Sequence, residues 1–367
     1  MKTTKVYLQK PWKFSEDSPY YISLKKYPPR NIKFIQKDEF KFIHSGKKFK
    51  YIGIIKGVGR NILSFLNRSM PNSILTSKSE NIDLIHCERC LSKNNTPWVC
   101  DIEWVGQFWK TGSPRGSEDK IKKYLESDNC KKIMAWTEWC SGEIIERFPS
   151  VKNKVEVVYP AIEEQKITRD FNKKKITLLF VARRFYEKGG LYACEVIDRI
   201  TKKYNFVEGI VIGETPKKVL DRYEKNKKIS FLSMIPRERL FREFYPKSDI
   251  FVYPGFIDSF GFPIIEAMSF GIPIVSVEGA VRRELIKENY TGFVIEGKQL
   301  SKRYMENLVD LEVIEGMCKR IISLIEDRKL LRKMSKNCIR EIKTGKFSIR
   351  ERNKKLSKIY LEATSND

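Results

Sequence analysis

Two carboxylates, Asp258 and Glu266, stand eight positions apart and are the first residues whose spacing suggests chemistry. Residues 259–262 lie between them, directly before a predicted helix, so their backbone amides meet the positive end of the helix dipole. Amides in this position bind phosphate, and carboxylates accept hydrogen bonds from hydroxyl groups. The combination suits a molecule that carries both a diphosphate and sugars, which describes a nucleotide sugar.

The elements around these acids are predicted to run strand, glycine loop, helix, strand. Asp249 to Tyr253 is a short apolar run, and Pro254 ends its pairing. Pro263 suits the first turn of a helix, and Ile274 to Val277 is the next strand. In a parallel sheet this unit places the loop and the helix N-terminus at the carboxyl edge of the strands, where α/β proteins bind ligands.

A pair of cations follows another predicted strand. Ile176 to Ala182 is nearly all apolar, as expected of a parallel strand that is buried on both faces. Arg183 and Lys188 come directly after it and before a helix with an apolar face. Basic residues are commonly solvated surface charges. At the carboxyl end of a buried strand, two of them together favour a site for an anion.

For an isolated pair of acids, an ordinary turn with solvated side chains is the simpler interpretation. The longer string IDSFGFPIIEAMSFGIPIVS changes this, because it resembles the signature E-x-F-G-x-x-x-x-E-A-M-A-x-G-x-P-V-V of the retaining glycosyltransferases of family 4. The positions that match are Glu266, Ala267, Met268, Gly271 and Pro273. Asp258 stands where the family usually has Glu, which keeps the charge and shortens the reach by one methylene.

The segment FVARRFYEKGG is similar to a second element of that family, V-G-R-x-x-x-E-K-G, with Ala182 in place of its first glycine. By this resemblance Arg183 and Lys188 hold the diphosphate of the donor, and Glu187 supports the loop. The two elements lie about 70 residues apart and in the family's order. Together they are more specific than either element alone.

The resemblance implies the α/β GT-B fold, in which two doubly wound parallel-sheet domains face a central cleft. We expect an acceptor-side domain over residues 1–160, with a C-terminal helix at about 347–367 packing back on it. The nucleotide-sugar donor domain is expected over residues 161–346.

The resemblance also assigns roles to residues. Glu266 is expected to accept from the ribose hydroxyls and Asp258 from the hydroxyls of the transferred sugar. The catalytic residues implied are Arg183, Lys188 and Asp258. The donor-binding residues implied are Arg183, Lys188, Gly213, Ser259, Phe260, Gly261, Phe262 and Glu266. The donor is a co-substrate, and neither a cofactor nor a metal is expected.

The acceptor side is less clearly marked. The family commonly carries a segment P-V-V-x-T-x-H, and aligning it on Pro97 places Glu103 where the family has its His. Asp101 and Glu103 share a face if the strand continues, since strand side chains repeat every two residues. We interpret them as a pair lining the cleft. A lone D-x-E could instead imitate the D-x-D metal pair of other glycosyltransferases.

The formal net charge of +25 requires a partner hypothesis: nucleic acid, an anionic membrane surface, or no special partner. Residues 1–60 contain 15 Lys and Arg against four acids. These cations are interleaved with aromatic residues, which suit a membrane interface. The aromatic residues are Trp12, Phe14, Tyr20, Tyr21, Phe34, Phe40, Phe42 and Tyr51.

No apolar run approaches the ~18 residues of a membrane span, and no signal region follows the first lysines. We therefore expect a cytoplasmic protein that is either soluble or peripheral at the inner face of the membrane. The eight cysteines are expected to be reduced thiols. Cys87 and Cys90 could supply half of a zinc site, but no second pair at ligand spacing follows.

The resemblance therefore implies a retaining, metal-independent glycosyltransferase that moves a hexose-type sugar from a UDP-, GDP- or ADP-sugar to a glycan, lipid-linked or small-molecule acceptor. One alternative is a nucleotide-sugar epimerase or hydrolase on the same scaffold. Another is a basic nucleic-acid-binding protein, although no helix-turn-helix, zinc finger or RNP-like motif occurs.

Three further segments have structural predictions. Residues 11–30 are rich in Pro, Ser and charge and are expected to be irregular. Tyr51 to Ile55 is a strand candidate, and Asn61 to Met70 a short helix. Thr291 to Ile295 is expected to form a short hairpin, by resemblance to the family.

Overall fold

The structure is a computed structural model that describes residues 3–11, 18–35, 70–76, 81–112, 114, 116–297 and 309–365. The chain divides into two compact units, one of Met1–Pro160 with Arg350–Asp367 and one of Ala161–Ile349. In the described residues each unit contains a parallel sheet of six strands.

The sheet of the first unit has the strand order β2-β1-β4-β6-β7-β8. Its strands are β1 Thr4–Gln9, β2 Ile32–Ile35, β4 Leu84–Glu88, β6 Trp98–Ile102, β7 Cys130–Ala135 and β8 Val155–Val157, and a separate parallel pair consists of β3 Ser73–Ile74 and β5 Leu91–Ser92. The helices are α1 Pro19–Lys26, α2 Glu118–Glu126 and α3 Glu138–Arg147, with 3₁₀ turns at Val105–Phe108 and Pro149–Lys154.

The sheet of the second unit has the order β11-β10-β9-β12-β13-β14. Its strands are β9 Ile176–Ala182, β10 Val207–Gly213, β11 Ile229–Leu232, β12 Ile250–Tyr253, β13 Ile274–Val277 and β14 Gly292–Ile295. Its helices are α4 Gly190–Lys203, α5 Lys217–Tyr223, α6 Arg237–Arg239, α7 Phe262–Ser269, α8 Arg282–Leu285, α9 Leu311–Glu326 and α10 Arg328–Lys343. The short α6 continues as a π-helical turn, Leu240–Phe244, and a 3₁₀ turn, Tyr245–Lys247.

The order of the second sheet explains where a ligand should bind. The first strand of the unit, β9, lies between β10 and β12. The chain adds β10 and β11 on one side of β9 and then adds β12, β13 and β14 on the other side. In doubly wound sheets the crevice outside the carboxyl ends of such a pair of strands is the usual ligand site. All residues of β9 and β12 are buried, so this edge is held by the apolar core.

The last described helix, α11 Ile349–Thr364, belongs almost entirely to the first unit. Its Arg352 is buried and donates from Nη1 to the hydroxyl of Ser23 at 2.9 Å and from Nη2 to the carbonyl of Tyr27 at 2.7 Å. The hydroxyl of Tyr360 lies 2.7 Å from Nδ1 of His86 in β4. Polar contacts to α1 and to the central sheet therefore fix this helix in place.

The fold class predicted from the sequence is confirmed: the chain is an α/β protein with two doubly wound parallel sheets. Two strands, β9 Ile176–Ala182 and β13 Ile274–Val277, have the predicted bounds, because most of their residues are apolar. The helix α3 Glu138–Arg147 is capped by Thr137, whose side chain accepts a hydrogen bond from the amide of Cys140.

Two predictions are corrected and two lie outside the described residues. Residues 11–30 contain a helix, α1, which begins at Pro19 and buries Tyr20 and Tyr21 against Trp136. Residues 291–295 form no hairpin, because β14 pairs in parallel with β13. The strand predicted at 51–55 and nearly all of the helix predicted at 61–70 fall outside the described residues.

Candidate functional site

Two glycines bring the loops after β9 and β12 into contact. Gly189 has a left-handed backbone (φ +74°), and a Cβ atom on it would lie 2.1 Å from the carbonyl oxygen of Pro254. A Cβ atom on Gly255 would lie 3.2 Å from the Cα atom of Lys188. A side chain at Gly189 would force the two loops apart, since real Cβ contacts are not so short. The loops are therefore pressed together at the edge where ligands are expected.

This contact joins two of the predicted site residues, Lys188 and Asp258. The Nζ atom of Lys188 lies 2.9 Å from Oδ1 of Asp258 and donates to the carbonyl of Ile257 at 2.7 Å. The Lys188 side chain is 21% exposed and the Asp258 side chain 12%. The ion pair lies near the surface, where a ligand can reach the lysine.

The second oxygen of Asp258 has partners that the sequence analysis missed. Oδ2 accepts from the hydroxyl of Tyr253 at 2.8 Å and from Nη2 of Arg282 at 3.3 Å. The side chain of Arg282 is only 1% exposed. Tyr253 ends β12 and Arg282 follows β13, so both lie at the carboxyl edge that the sequence analysis identified as the ligand edge. Their position at the carboxyl ends of the strands is the sequence signal by which Tyr253 and Arg282 could have been predicted.

The charge of Asp258 follows from these contacts. Burial by itself would raise the pKa of Asp258, but Arg282 and then Lys188 overcome this effect and hold the pKa below its ordinary value. Burial, together with the neighbouring Asp258, raises the pKa of Tyr253 well above its ordinary value. At neutral pH the carboxylate is therefore ionised and the phenol remains a hydrogen-bond donor.

Gly261 lies directly over the pair formed by Asp258 and Arg282. It precedes α7 with a left-handed backbone (φ +92°), and a Cβ atom there would lie 3.2 Å from Nη1 of Arg282 and 3.3 Å from Oδ2 of Asp258. A larger residue would have to displace the pair. The predicted amide donors of Ser259, Phe260, Gly261 and Phe262 thus lie at the N-terminal end of α7, next to Asp258.

Glu266 lies inside α7 and is buried. Its Oε1 accepts from Nε of Arg237 at 2.7 Å, and its Oε2 accepts from the hydroxyl of Tyr245 at 3.1 Å. Burial raises the pKa of Glu266, and Arg237 and Tyr245 oppose that rise. A carboxylate has about four acceptor positions, so these two contacts do not fill all those of Glu266.

Arg183 and Gly213 lie at the same edge but outside this cluster. Arg183 directly follows β9 and is exposed, and its side chain has no hydrogen bond or ion pair within the described part of the chain. Gly213 ends β10 beside Ala182, and a Cβ atom on it would lie 2.4 Å from the carbonyl oxygen of Ala182. Glu187 accepts from Nη1 of Arg184 at 3.0 Å, so this acid is held within its own loop.

The expectation that Asp101 lines a cleft is corrected by its burial. Asp101 is 0% exposed, because it packs inside the first unit. Its Oδ1 accepts from the hydroxyl of Tyr21 and the amide of Arg89, and its Oδ2 lies 3.1 Å from Nε2 of His86. Glu103 is half-buried and bonded to Gln107. The two acids therefore differ in environment.

No group of three or more His, Cys, Asp and Glu side chains among the described residues could hold a metal ion. None of the eight cysteines, all of which are described, forms a disulfide bond. Among the described helices, none is both long and apolar enough to cross a bilayer.

Comparisons with known proteins give a family match for part of the chain and several distant relatives. Residues 161–341 match the family model described as "Glycosyl transferases group 1", a range that lies within the second unit. An uncharacterized 41.2 kDa protein in the cps region of Klebsiella pneumoniae is 28% identical over 162 residues, which cover 41% of this chain and 44% of that protein. The GPI3 subunit of phosphatidylinositol N-acetylglucosaminyltransferase from Saccharomyces cerevisiae is 25% identical over 157 residues, covering 41% of this chain and 34% of that subunit. The chain thus spans less than half of the length of these relatives.

Solved structures resemble the whole chain in fold. A glycosyltransferase from Rickettsia africae superposes with a TM-score of 0.64 at 15% identity and covers 100% of both chains. The Anabaena HepE protein in complex with UDP and glucose superposes with a TM-score of 0.60 at 12% identity, over 97% of this chain and 98% of that one. At these identities the likeness concerns the fold, and it is the GT-B fold.

Proposed function

Because residues 161–341 match the family model of glycosyl transferases group 1, we propose that this protein is a glycosyltransferase with a nucleotide diphosphate sugar as its donor. The observation that carries the proposal is the cluster of Lys188, Asp258 and Arg282, at the switch point of the second sheet and beside the N-terminus of α7. Cations beside a helix N-terminus suit a diphosphate, and carboxylates suit sugar hydroxyls.

Different residues at this edge bind different parts of the donor. Lys188 and the exposed Arg183 bind the diphosphate together with the amides of residues 259–262. Glu266, whose acceptor positions are not all filled, accepts from the ribose hydroxyls. Asp258 accepts from hydroxyls of the transferred hexose, and Gly213 lets the donor approach the backbone between β9 and β10.

The reaction we propose retains the configuration of the anomeric carbon. The bond from that carbon to the diphosphate oxygen breaks, and a bond to the acceptor oxygen forms on the same face. The acceptor proton passes to a phosphate oxygen of the leaving diphosphate. Negative charge grows on that group during the step, so Lys188 and Arg183 stabilise the transition state more than the ground state. With two cations in this role, we propose that no metal is needed.

The acceptor is proposed to be a glycan or a lipid-linked molecule. The name of the yeast relative, phosphatidylinositol N-acetylglucosaminyltransferase, supports a lipid-linked acceptor. The positive charge of residues 1–60 supports docking on an anionic membrane at the cytoplasmic face. Tyr20 and Tyr21 take no part in that docking, because they are core residues.

The experiment that tests the proposal has two stages. Thermal shift with a panel of UDP-, GDP- and ADP-sugars should identify one donor that raises the melting temperature, because a ligand of the folded state stabilises it. The purified protein is then incubated with that donor, with and without glycan or lipid acceptors, and the anomeric configuration of the product is read by NMR. Consumption of the donor without an acceptor would instead identify an epimerase or hydrolase. Binding of no sugar nucleotide would overturn the proposal.

A further inference from the structure

Asp258 has one cationic partner at each of its oxygens, and the two differ in how firmly they are held. Lys188 approaches Oδ1 at 2.9 Å and Arg282 approaches Oδ2 at 3.3 Å. The lysine is partly exposed and reaches the acid from the loop after β9. The arginine is buried beneath the loop that carries the acid.

Arg282 is buried and is held by contacts with the loop that carries Asp258. Its Nη2 donates to the carbonyl of Gly255 at 2.7 Å, and its guanidinium lies over the ring of Tyr253, 5.0 Å from the centroid. Gly261 and Gly279 both approach its side chain closely. Its Nε and Nη1 atoms are buried and have no hydrogen-bond partner among the described residues. The arginine thus lies beneath the loop and supports it.

We propose that Arg282 is the permanent counter-ion of Asp258 and that Lys188 is an exchangeable one, which leaves Asp258 when the diphosphate of the donor binds. This inference rests on the proposed function, because it describes how the same site changes its ion pairs. Arg282 is in this view a positioning residue, and Lys188 is the residue that contacts the ligand.

The physical reason lies in the cost of leaving a buried charge alone. If Lys188 were the sole cation at Asp258, its departure would leave a largely buried carboxylate with only the hydroxyl of Tyr253 as a partner. With Arg282 in place, Oδ2 keeps both of its partners and the carboxylate stays compensated. The lysine can then move to a diphosphate, which carries more negative charge than one shared carboxylate.

The same arrangement makes Asp258 a competitor of the diphosphate. In the ligand-free site Lys188 is held by the acid, so part of the binding free energy is used to separate the pair. Replacing Asp258 by an uncharged residue of the same shape should therefore strengthen diphosphate binding. Loss of Arg282 should weaken it, because Asp258 would then hold the lysine more tightly.

The test measures the affinity of inorganic pyrophosphate, a probe that is independent of the base and the sugar, by isothermal titration calorimetry at fixed ionic strength. Asp258→Asn should bind pyrophosphate about tenfold more tightly than the wild type, the scale of one charge-assisted hydrogen bond. Arg282→Gln should bind it about tenfold more weakly. The double variant Asp258→Asn/Arg282→Gln should regain at least wild-type affinity, and Asp258→Asn should give no gain in a Lys188→Met background.

Each other result overturns the inference. Unchanged or weaker binding by Asp258→Asn would show that the acid does not compete for Lys188. Failure of Asp258→Asn to rescue Arg282→Gln would make Arg282 a ligand or a purely structural residue. If Arg282→Gln loses cooperative melting, the double variant carries the test, since it has no unpaired buried carboxylate, and Arg282→Lys should bind with intermediate affinity.

The outcome also separates this inference from the proposed function. A wild-type protein that binds neither pyrophosphate nor any sugar nucleotide would overturn both. Binding of a sugar nucleotide together with no binding of pyrophosphate, or with equal affinities in all the variants, would overturn the exchange of Lys188 alone.

Discussion

Arg237 donates from Nε to Oε1 of Glu266 at 2.7 Å. Arg237 precedes β12 in the chain, and Glu266 lies in α7, the helix that follows β12. The other carboxylate oxygen accepts from Tyr245, which follows Arg237 in one continuous helical segment. The guanidinium of Arg237 also lies 4.0 Å from the centre of the Phe241 ring. This segment therefore sets both the position and the charge of the acid proposed to hold the ribose.

In Arg237→Gln, the pH below which affinity for a nucleoside diphosphate is lost should be higher than in the wild type. Arg237 opposes the rise that burial causes in the pKa of Glu266, so removing it raises that pKa further. A ligand that needs ionised Glu266 is then lost at a higher pH than in the wild type. The measurement is affinity as a function of pH. Arg239→Gln is the control, because Arg239 is exposed and pairs with Glu243. Equal pH profiles for Arg237→Gln and the wild type would disconnect the pair from binding.

Lys188→Ala should lower kcat/KM by roughly a hundredfold, the usual effect of removing one group that stabilises transition-state charge. The melting temperature should change little, since the lysine is near the surface. Arg184→Ala is the matched control, because Arg184 belongs to the same loop but is exposed and pairs with Glu187 of that loop. Similar kinetics for the two variants would remove Lys188 from the site.

Asp258→Ala and Glu266→Ala should have opposite effects. The first should lose activity while a nucleoside diphosphate still binds, because Asp258 is proposed to contact the transferred sugar. The second should weaken binding of the nucleotide itself. Calorimetry with UDP, GDP and ADP, alongside activity with the matching sugar, separates the two. Loss of diphosphate affinity in Asp258→Ala would place that acid on the nucleotide instead.

Removal of divalent metals should leave activity unchanged. The prediction follows from the two cations, Arg183 and Lys188, at the proposed diphosphate site. Activity is measured after dialysis against EDTA, and again after adding Mg²⁺ or Mn²⁺. Activity that disappears with EDTA and returns with either metal would contradict the prediction. Glu103 would then be the first ligand to replace, since Asp101 is buried and already bonded.

The protein should sediment with acidic liposomes at low salt and much less with neutral ones. The cations of residues 1–60 attract acidic head groups at about 1 kcal/mol each near the surface, and salt screens that attraction. Sedimentation is compared on acidic and neutral vesicles at low and moderate salt. Equal binding to both kinds of vesicle, or no binding to the acidic kind, would favour a soluble acceptor.

The sequence analysis succeeded where structure depends on neighbouring residues. The strands Ile176–Ala182 and Ile274–Val277 are mostly apolar, and both have the predicted bounds. The glycine loop before α7 was also placed correctly in the chain. Patterns of this kind are local, and a parallel strand buried on both faces carries its signal in its own residues.

The sequence analysis failed where the environment of a side chain is set by residues that are distant in the chain. Tyr20 and Tyr21 make α1 part of the core only because Trp136 lies beside them, more than a hundred residues later in the chain. Arg282 acts on Asp258 and Gly255, which precede it by 24 and 27 residues. Asp101 was judged by its strand alternation, whereas its burial is decided by Tyr21, Arg89 and His86. Only the fold brings these groups together.

Because α11 belongs almost entirely to the first unit, that unit is completed after the second unit during synthesis. A ribosome makes all strands of the second sheet, through Ile295, before it makes Arg352 and Tyr360. The hydrogen bonds from those two residues to Ser23 and His86 are part of the first unit, whose own strands leave the ribosome earliest. The strands of the first unit are therefore translated before those of the second unit, but they acquire their contacts with α11 only after the second unit has been made.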